Sequence, residues 1–286
     1  MKRVVATVAL GTALVLAGAG CGGSTPAGGH GILLVGRAKY GRSRIFLWRP
    51  GSRAKPLGPA GYEITDPVWS PDGCSIAWVD AYQPEAGATP ASDEISLMRS
   101  DGTQLKSLAE DDYYDGGPSW SPDGRHIVYE RQGISGGEGL VIVDARSGHE
   151  RVLHPRDLPE YARDAVWGKP GIAYLNDSGI NLLNPEAGRS RLVAHGYFYN
   201  DGLAWSPSGV LAVFERKRIV VLSTSGRVLG KLLTPPSRCW PVWSPNGKQI
   251  LVTAKANNVW VGTVSTKHWQ RLTVPMKGNA CATSWR

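Results

Sequence analysis

Several sequence features that mark common enzymes are missing from this chain of 286 residues. It has no His-Glu-x-x-His pair, and its 6 histidines are scattered, so the ligand spacing of the zinc hydrolases is missing. Its Gly-x-Ser-x-Gly match, at residues 133–137, falls in a long loop between two predicted strands and not at a strand-to-helix turn, so it lacks the context of the α/β-hydrolase nucleophile. Its longest apolar stretch, near the N-terminus, is interrupted by glycine and is shorter than the roughly 20 residues that span a membrane. These absences favour a binding protein over an enzyme.

The first residues instead have the pattern of an export signal. Lys2 and Arg3 precede an uncharged stretch over residues 4–20, and small residues lead to Cys21. The segment Leu16-Ala17-Gly18-Ala19-Gly20-Cys21 resembles a bacterial lipobox, which implies acylation of Cys21. We predict a signal peptide over 1–20 and a flexible tether over 21–29; an ordinary cleaved signal is the alternative. The net charge of +8 does not by itself indicate nucleic acid, and we expect none for an exported protein.

A repeated motif dominates the rest of the chain. It is strongest in Trp-Ser-Pro-Asp-Gly, which lies between two apolar runs. Proline presets the turn backbone, and glycine accepts a positive φ, so each copy predicts a strand, a tight turn and a second strand. The tryptophans of the six copies are Trp69, Trp120, Trp167, Trp205, Trp243 and Trp285. We expect these side chains to pack between neighbouring repeats.

Third and fourth strand-like segments occur six times. The first set, at residues 31–57, has no tryptophan strand before it, and the strand that ends at Trp285 has nothing after it. These two halves fit each other. We therefore predict an all-β, six-bladed β-propeller over residues 30–286, with about 43 residues per blade and the first blade closed by the C-terminal strand.

The Trp-Ser-Pro-Asp-Gly copies resemble the propeller repeat of the TolB family, also called the PD40 or WD40-like repeat. The resemblance covers nearly all of the chain after the tether. It implies the fold more strongly than it implies a function, because one fold serves many functions.

The connections of such a blade divide between two faces. The strand 1–2 and 3–4 turns are nearly uniform, whereas the opposite face holds the long and variable loops, where binding usually occurs. Acidic residues concentrate on this loop-rich face in blades two to four, and basic residues in blades five, six and one. The predicted binding rim comprises Tyr113, Tyr114, Tyr161, Tyr197, Tyr199, Arg216, Lys217 and Arg218. The alternative is that the tyrosines only cover the edge of the hydrophobic core.

Aspartates and cysteines near the repeat tryptophans suggest two further features. Carboxylates that converge at the channel would suit Ca²⁺, which prefers oxygen ligands, although capping of turns and strand ends by aspartate is the alternative. The candidate ligands are Asp66, Asp115, Asp164 and Asp201. Cys239 and Cys281 each lie four residues before a repeat tryptophan, so a disulfide between them would close the ring, and we expect Cys74 to be left free as a buried thiol.

The sequence therefore predicts a monomeric, lipid-anchored propeller on the extracytoplasmic face of the cell membrane. Its predicted partner is an envelope protein or polymer. Two alternatives stay open at this point. One is a propeller enzyme of the lyase or hydrolase type that acts on sugars or peptides at the channel mouth, and the other is a sensor of a small ligand or a metal.

Overall fold

Every regular element of the described chain is a β-strand. The structure, a computed structural model, describes residues 30–37, 43–58, 63–82, 92–108, 113–132, 138–153, 162–196, 202–215, 217–235, 237, 239–254, 257–276 and 279–286. The predicted signal peptide and tether lie outside these ranges. Within them we find no helix, and hence none of the length and hydrophobicity that crossing a membrane requires.

The described part of the chain contains 24 strands. In chain order they are β1 (Ile32–Arg37), β2 (Ser43–Trp48), β3 (Lys55–Leu57), β4 (Glu63–Trp69), β5 (Ser75–Tyr82), β6 (Ser92–Arg99), β7 (Lys106–Ser107), β8 (Tyr114–Trp120), β9 (His126–Gln132), β10 (Glu138–Asp144), β11 (Glu150–Val152), β12 (Arg163–Gly168), β13 (Gly171–Asn176), β14 (Gly179–Asn184), β15 (Arg189–His195), β16 (Leu203–Trp205), β17 (Leu211–Glu215), β18 (Arg218–Leu222), β19 (Val228–Leu233), β20 (Val242–Trp243), β21 (Gln249–Thr253), β22 (Asn258–Thr263), β23 (His268–Thr273) and β24 (Asn279–Trp285).

The strands assemble into antiparallel groups of four. Four groups are separate sheets, with the strand orders β24-β1-β2-β3, β12-β13-β14-β15, β16-β17-β18-β19 and β20-β21-β22-β23. The strands β4 to β11 form one eight-stranded sheet, which consists of the groups β4–β7 and β8–β11. A parallel pairing of Asp93 with Tyr114 joins these two groups. The all-β propeller prediction is confirmed, but the described part of the chain shows four separate four-stranded sheets and not the six that were expected, because this bridge unites β4 to β11 in one sheet.

The tight turns follow the repeated motif. In the first copy the Gly73 amide donates to the Ser70 carbonyl at 2.9 Å, and the Ser70 hydroxyl donates to the Asp72 carboxylate at 2.5 Å. Gly73 has a φ of 74°, which glycine adopts at little cost. Gly124 and Gly247 occupy the same place in their copies, with φ values of 71° and 66°. The motif therefore specifies these hairpins through its own side chains.

The core lies between neighbouring groups. One buried cluster, for example, combines Leu175 of β13 with Leu203 of β16 and Val213 of β17. The repeat tryptophans join the groups by hydrogen bonds as well, since the Trp243 indole donates to the Ala204 carbonyl at 3.0 Å and the Trp205 indole to the Val166 carbonyl at 3.1 Å. These contacts agree with the expected packing of the tryptophans between repeats.

The C-terminal strand closes the ring, as the sequence predicts. β24 pairs antiparallel with β1 along its length. On its other side, the Thr283 hydroxyl donates to the Pro67 carbonyl at 2.7 Å, and the Trp69 amide donates to the Ser284 hydroxyl at 3.2 Å. The last strand is therefore tied both to the first strand of its own sheet and to the neighbouring group.

Candidate functional site

The first strand of each group lies at the centre of the molecule. These inner strands contact one another in the closed order β24–β4–β8–β12–β16–β20–β24. They surround a cavity of about 720 Å³, lined by residues of all six inner strands or of the segments that lead into them. Ligand sites in proteins typically enclose 300–1,000 Å³. The central channel is therefore large enough to admit a small molecule or a side chain of a partner.

Equivalent positions of the repeat meet where the channel opens toward the loop-rich face. Each lies three residues before a repeat tryptophan, and all of them line the cavity. We call this set the mouth ring. In the order of the inner strands, its members are Ala282, Asp66, Gly117, Asp164, Gly202 and Trp240. The backbone thus places six homologous positions together, although their side chains differ in chemistry.

Backbone bulges shape one side of the mouth ring. The pairing of the inner strand with its neighbour shifts register in three consecutive groups, at Asp66, Gly117 and Asp164. These residues have φ values of 48°, 59° and 52°, in the left-handed region. Aspartate tolerates this region better than most residues other than glycine. Bulges of this kind redirect side chains, which explains how two strand carboxylates come to line the channel.

A third carboxyl group, from Glu130 of β9, joins this side. It lines the same cavity, and the Ala165 amide donates to its Oε1 at 3.3 Å. Burial, followed by the negative charges of Asp164 and Asp66, raises the pKa of Glu130 to about 8. Burial also raises the pKa of Asp66, against a hydrogen bond from Thr65 that lowers it. The three acids are therefore close enough to influence one another.

The side opposite Glu130 is aromatic. Trp240 precedes β20, which is three places from β8 in the cycle of inner strands, and its side chain is 41% exposed. The indole lies against Gly202, where a Cβ atom would overlap it. Glycine on the opposite side has a similar role, because a Cβ at Gly117 would lie 3.3 Å from the Glu130 carboxylate. Two glycines of the mouth ring thus leave room for the acid and for the indole.

Asp115 does not join the other predicted ligands. Its carboxylate is buried and accepts two hydrogen bonds of 2.9 Å from Arg131. The same guanidinium donates to Glu150 at 2.8 Å and to the Tyr129 hydroxyl at 2.8 Å. Burial and hydrogen bonding to Glu150 raise the pKa of Tyr129. Asp115 therefore belongs to an internal charge network rather than to the channel.

The described residues of the predicted rim lie outside the mouth ring. Tyr113 and Tyr114 are 42% and 39% exposed, and the Arg131 guanidinium lies 4.9 Å from the centre of the Tyr113 ring. Lys217 is exposed, whereas Arg218 forms a 2.8 Å ion pair with Glu215. The predicted residues that lie outside the described part of the chain are Cys21, Tyr161, Tyr197, Tyr199, Asp201 and Arg216.

The predicted disulfide is present in the structure, whereas the described residues do not form the predicted metal site. Cys239 and Cys281 form a disulfide in the structure, with Cα atoms 5.9 Å apart. Cys74 was expected to be free, but it is disulfide-bonded in the structure, so that expectation is wrong. Asp66 and Asp164 approach the same carboxyl group, yet the described residues contain no three histidine, cysteine or acidic side chains placed to hold one metal ion.

The two residues that complete the site were not predicted. Trp240 precedes Trp243 by the same three residues that separate Asp66 from Trp69, so the repeat spacing already contained that signal. Glu130 lies on a second strand, and its carboxyl reaches the channel beside the bulge at Gly117. A bulge of this kind has no signature in the repeat, so Glu130 could be identified only from the fold.

Comparison with known proteins supports the architecture. No family model matches the chain. A curated relative, an uncharacterized peptidase YuxL of Bacillus subtilis, is 29% identical over 154 residues, which are 53% of this chain and 21% of the relative. The match thus spans about a fifth of that protein's length.

Solved structures give broader coverage. TolB from Acinetobacter baumannii superposes with a TM-score of 0.69 and 19% identity over 89% of this chain and 66% of its own. A putative TolB from Agrobacterium tumefaciens gives 0.55 and 18% over 76% and 83%. Puromycin hydrolase gives 0.58 and 18% over 86% of this chain and 46% of its own. At these identities the likeness concerns the fold, and the fold of this chain is that of a TolB-like β-propeller.

Proposed function

We propose that this chain is an exported, lipid-anchored binding module that holds an envelope protein or polymer at the loop-facing mouth of its channel. The observation that carries the proposal is the mouth ring itself. A cavity of about 720 Å³ opens there between three carboxyl groups and an exposed indole. Binding sites commonly combine an apolar wall with a few polar groups that fix orientation.

The proposal includes a ring of six blades. The closed cycle of six inner strands supports this number, because each of these strands begins a group of four. The groups β4–β7 and β8–β11 count as two blades, since the bridge between Asp93 and Tyr114 is the parallel pairing that unites them in one sheet. Six blades also match the six copies of the tryptophan motif.

Hydrolysis of peptides at the same mouth is the second candidate function. The names of two similar proteins, a peptidase and a puromycin hydrolase, favour it. Glu130 adds a chemical observation, because a carboxyl whose pKa is about 8 suits general acid–base catalysis near neutral pH. The matched parts are a fifth of the first protein and 46% of the second, so their activities remain proposals for this chain.

Affinity capture from native envelopes tests the binding function. The full chain is compared with a triple variant of the loop-rich face, called the mouth variant, which carries Trp240→Ala in the mouth ring and Tyr113→Ala and Tyr114→Ala on the predicted rim outside it. We expect a partner that the wild type retains and the variant releases, because aromatic anchors dominate many interfaces. Leu105→Ala is the matched control, since Leu105 is 53% exposed but lies in a 3–4 connection on the opposite face.

The same preparation tests the anchor. Wild-type chain should be recovered in the membrane fraction and carry fatty acid, whereas Cys21→Ser should carry none. Equal retention of the captured partner by the wild type and a folded mouth variant would contradict the binding proposal. Peptide cleavage that disappears in Glu130→Gln would support the hydrolase instead.

A further inference from the structure

The two sides of the mouth ring have opposite chemistry. Three carboxyl groups, from Asp66, Glu130 and Asp164, line one side of the cavity. On the other side, Gly202 and Ala282 have no polar side chain, and Trp240 presents a partly exposed indole. A ligand that fills this mouth therefore meets negative charge and an aromatic surface at the same time.

The acidic side is arranged to favour a cation. Glu130 is held against the bulge of β12 by the Ala165 amide, and the charges of Asp164 and Asp66 act on its carboxyl. Like charges that are partly removed from water repel one another, and a bound cation relieves both the repulsion and the cost of burial. Arg131, the residue after Glu130, does not serve this purpose, because it is hydrogen-bonded to Asp115 and Glu150.

The aromatic side argues for an organic cation. Indole rings attract ammonium groups and pack against the apolar chains that carry them. A bare metal ion would gain little from Trp240. It would also require several ligands around one point, and the described part of the chain has no three acidic, histidine or cysteine side chains so placed. An ammonium group has three separate donors and can serve carboxylates that are further apart.

We propose that the mouth ring binds an ammonium group joined to an apolar segment, as in a lysine side chain beside a hydrophobic residue of a partner protein. The ammonium group lies against Asp66, Glu130 and Asp164, and the apolar segment lies on Trp240. This inference deepens the proposed binding function and rests on it. It names the chemistry by which the mouth recognises its partner.

Small probes test this chemistry without the natural partner. Phenethylamine combines the two features, 2-phenylethanol keeps the ring but replaces the ammonium with a hydroxyl, and ethylamine keeps the charge alone. Calorimetric titration of the full chain at about pH 9, above the Glu130 pKa of about 8, so that most of this carboxyl is ionised, should show binding of phenethylamine. We expect both partial probes to bind at least about ten-fold more weakly, since hydrogen bonds to charged groups and apolar burial each contribute on that scale.

Variants locate the binding. Glu130→Gln should weaken phenethylamine by about ten-fold, and Trp240→Ala should weaken it several-fold. Glu186→Gln and Leu233→Ala are the matched controls, because both side chains are exposed and outside the mouth ring, and they should bind as the wild type does. Circular dichroism confirms that each variant is folded before titration.

The outcomes separate this inference from the function on which it rests. Equal binding of phenethylamine and 2-phenylethanol, or an unchanged affinity in Glu130→Gln, would overturn the ammonium site. So would Ca²⁺ that binds in its place and displaces phenethylamine. If envelope capture still depends on the mouth residues in that case, the binding module stands and only its ligand chemistry is wrong.

Discussion

The turn face and the loop-rich face of this propeller differ in how closely their residues follow the repeat. On the turn face, the same hydrogen bonds recur from group to group, as in the Ser70–Asp72 and Ser121–Asp123 pairs at 2.5 and 2.6 Å. At the mouth, equivalent positions hold an aspartate, a glycine, an alanine or a tryptophan. Repetition on one face therefore fixes the scaffold, and variation at the same repeat position on the other face creates the chemistry.

The mouth also depends on contacts that the repeat does not supply. Arg131 joins Asp115, Glu150 and Tyr129 in one charge network. The Cys239–Cys281 disulfide links the segment before β20 to β24. The turn face should therefore respond in the same way in every blade, whereas each substitution at the mouth should have its own effect.

The largest expected effect comes from the disulfide at the mouth. Replacing Cys239 and Cys281 together by serine removes a cross-link between residues that are 42 positions apart in sequence. A loop of this length corresponds to about 4 kcal/mol of stability in the chain-entropy treatment. The free energy of unfolding in urea, measured without reductant, should fall by about that amount.

Chemical reduction provides the control for this measurement. Reductant added to the wild type should lower the free energy of unfolding at least as much as the double substitution does, because it opens the same disulfide. A double variant as stable as the wild type would show that the hydrogen bonds of β24 to β1 and to the neighbouring group hold the closure without the disulfide.

Much of this contrast was accessible from sequence. The recurrence of tryptophan at Trp69, Trp120 and later copies predicted the strands, the turns and the closure by the last strand, because each copy specifies its own hairpin. Asp66 and Asp164 were identified as channel residues by their spacing from tryptophan. The sequence also suggested the acidic character of this part of the mouth.

The remainder depended on three-dimensional detail. Asp115 also precedes a repeat tryptophan closely, but its partner is Arg131, which comes from another strand. Arg218 was assigned to a basic rim, and Glu215 neutralises it in part. Glu130 reaches the channel next to a backbone bulge. Pairings across strands and local register shifts are set by tertiary packing, so repeat spacing alone does not reveal them.

The mouth should also differ from the turn face in its response to pH. The pKa of Glu130 is about 8 in the folded chain, against an ordinary value of 4.5. Between these values the folded state keeps a proton that the unfolded state has lost, so stability falls as pH rises, by about 1.4 kcal/mol per pH unit. From about pH 6 to pH 7.5 the loss is about 2 kcal/mol.

Glu130→Gln isolates this contribution, since the amide does not titrate. The difference in unfolding free energy between variant and wild type should grow in favour of the variant as pH rises toward 8. Glu186→Gln makes the same change of charge at an exposed site and should show no such trend. A constant difference across the range would mean that the Glu130 carboxyl is ionised throughout.

The smallest effect tests whether the turn face is uniform. Gly124 and Gly247 have φ values of 71° and 66°, and a Cβ at either site would meet nothing closer than 3.6 Å. Alanine should therefore cost only the backbone strain, about 1 kcal/mol at each site. Gly139→Ala is the control, because Gly139 is not in the left-handed region and a Cβ there has open space, so the thermal unfolding temperature should not fall and should rise slightly as the unfolded chain loses freedom. Equal losses at Gly124 and Gly247 follow if the two turns are energetically the same, whereas clearly unequal losses would mean that the turn face, too, differs from blade to blade.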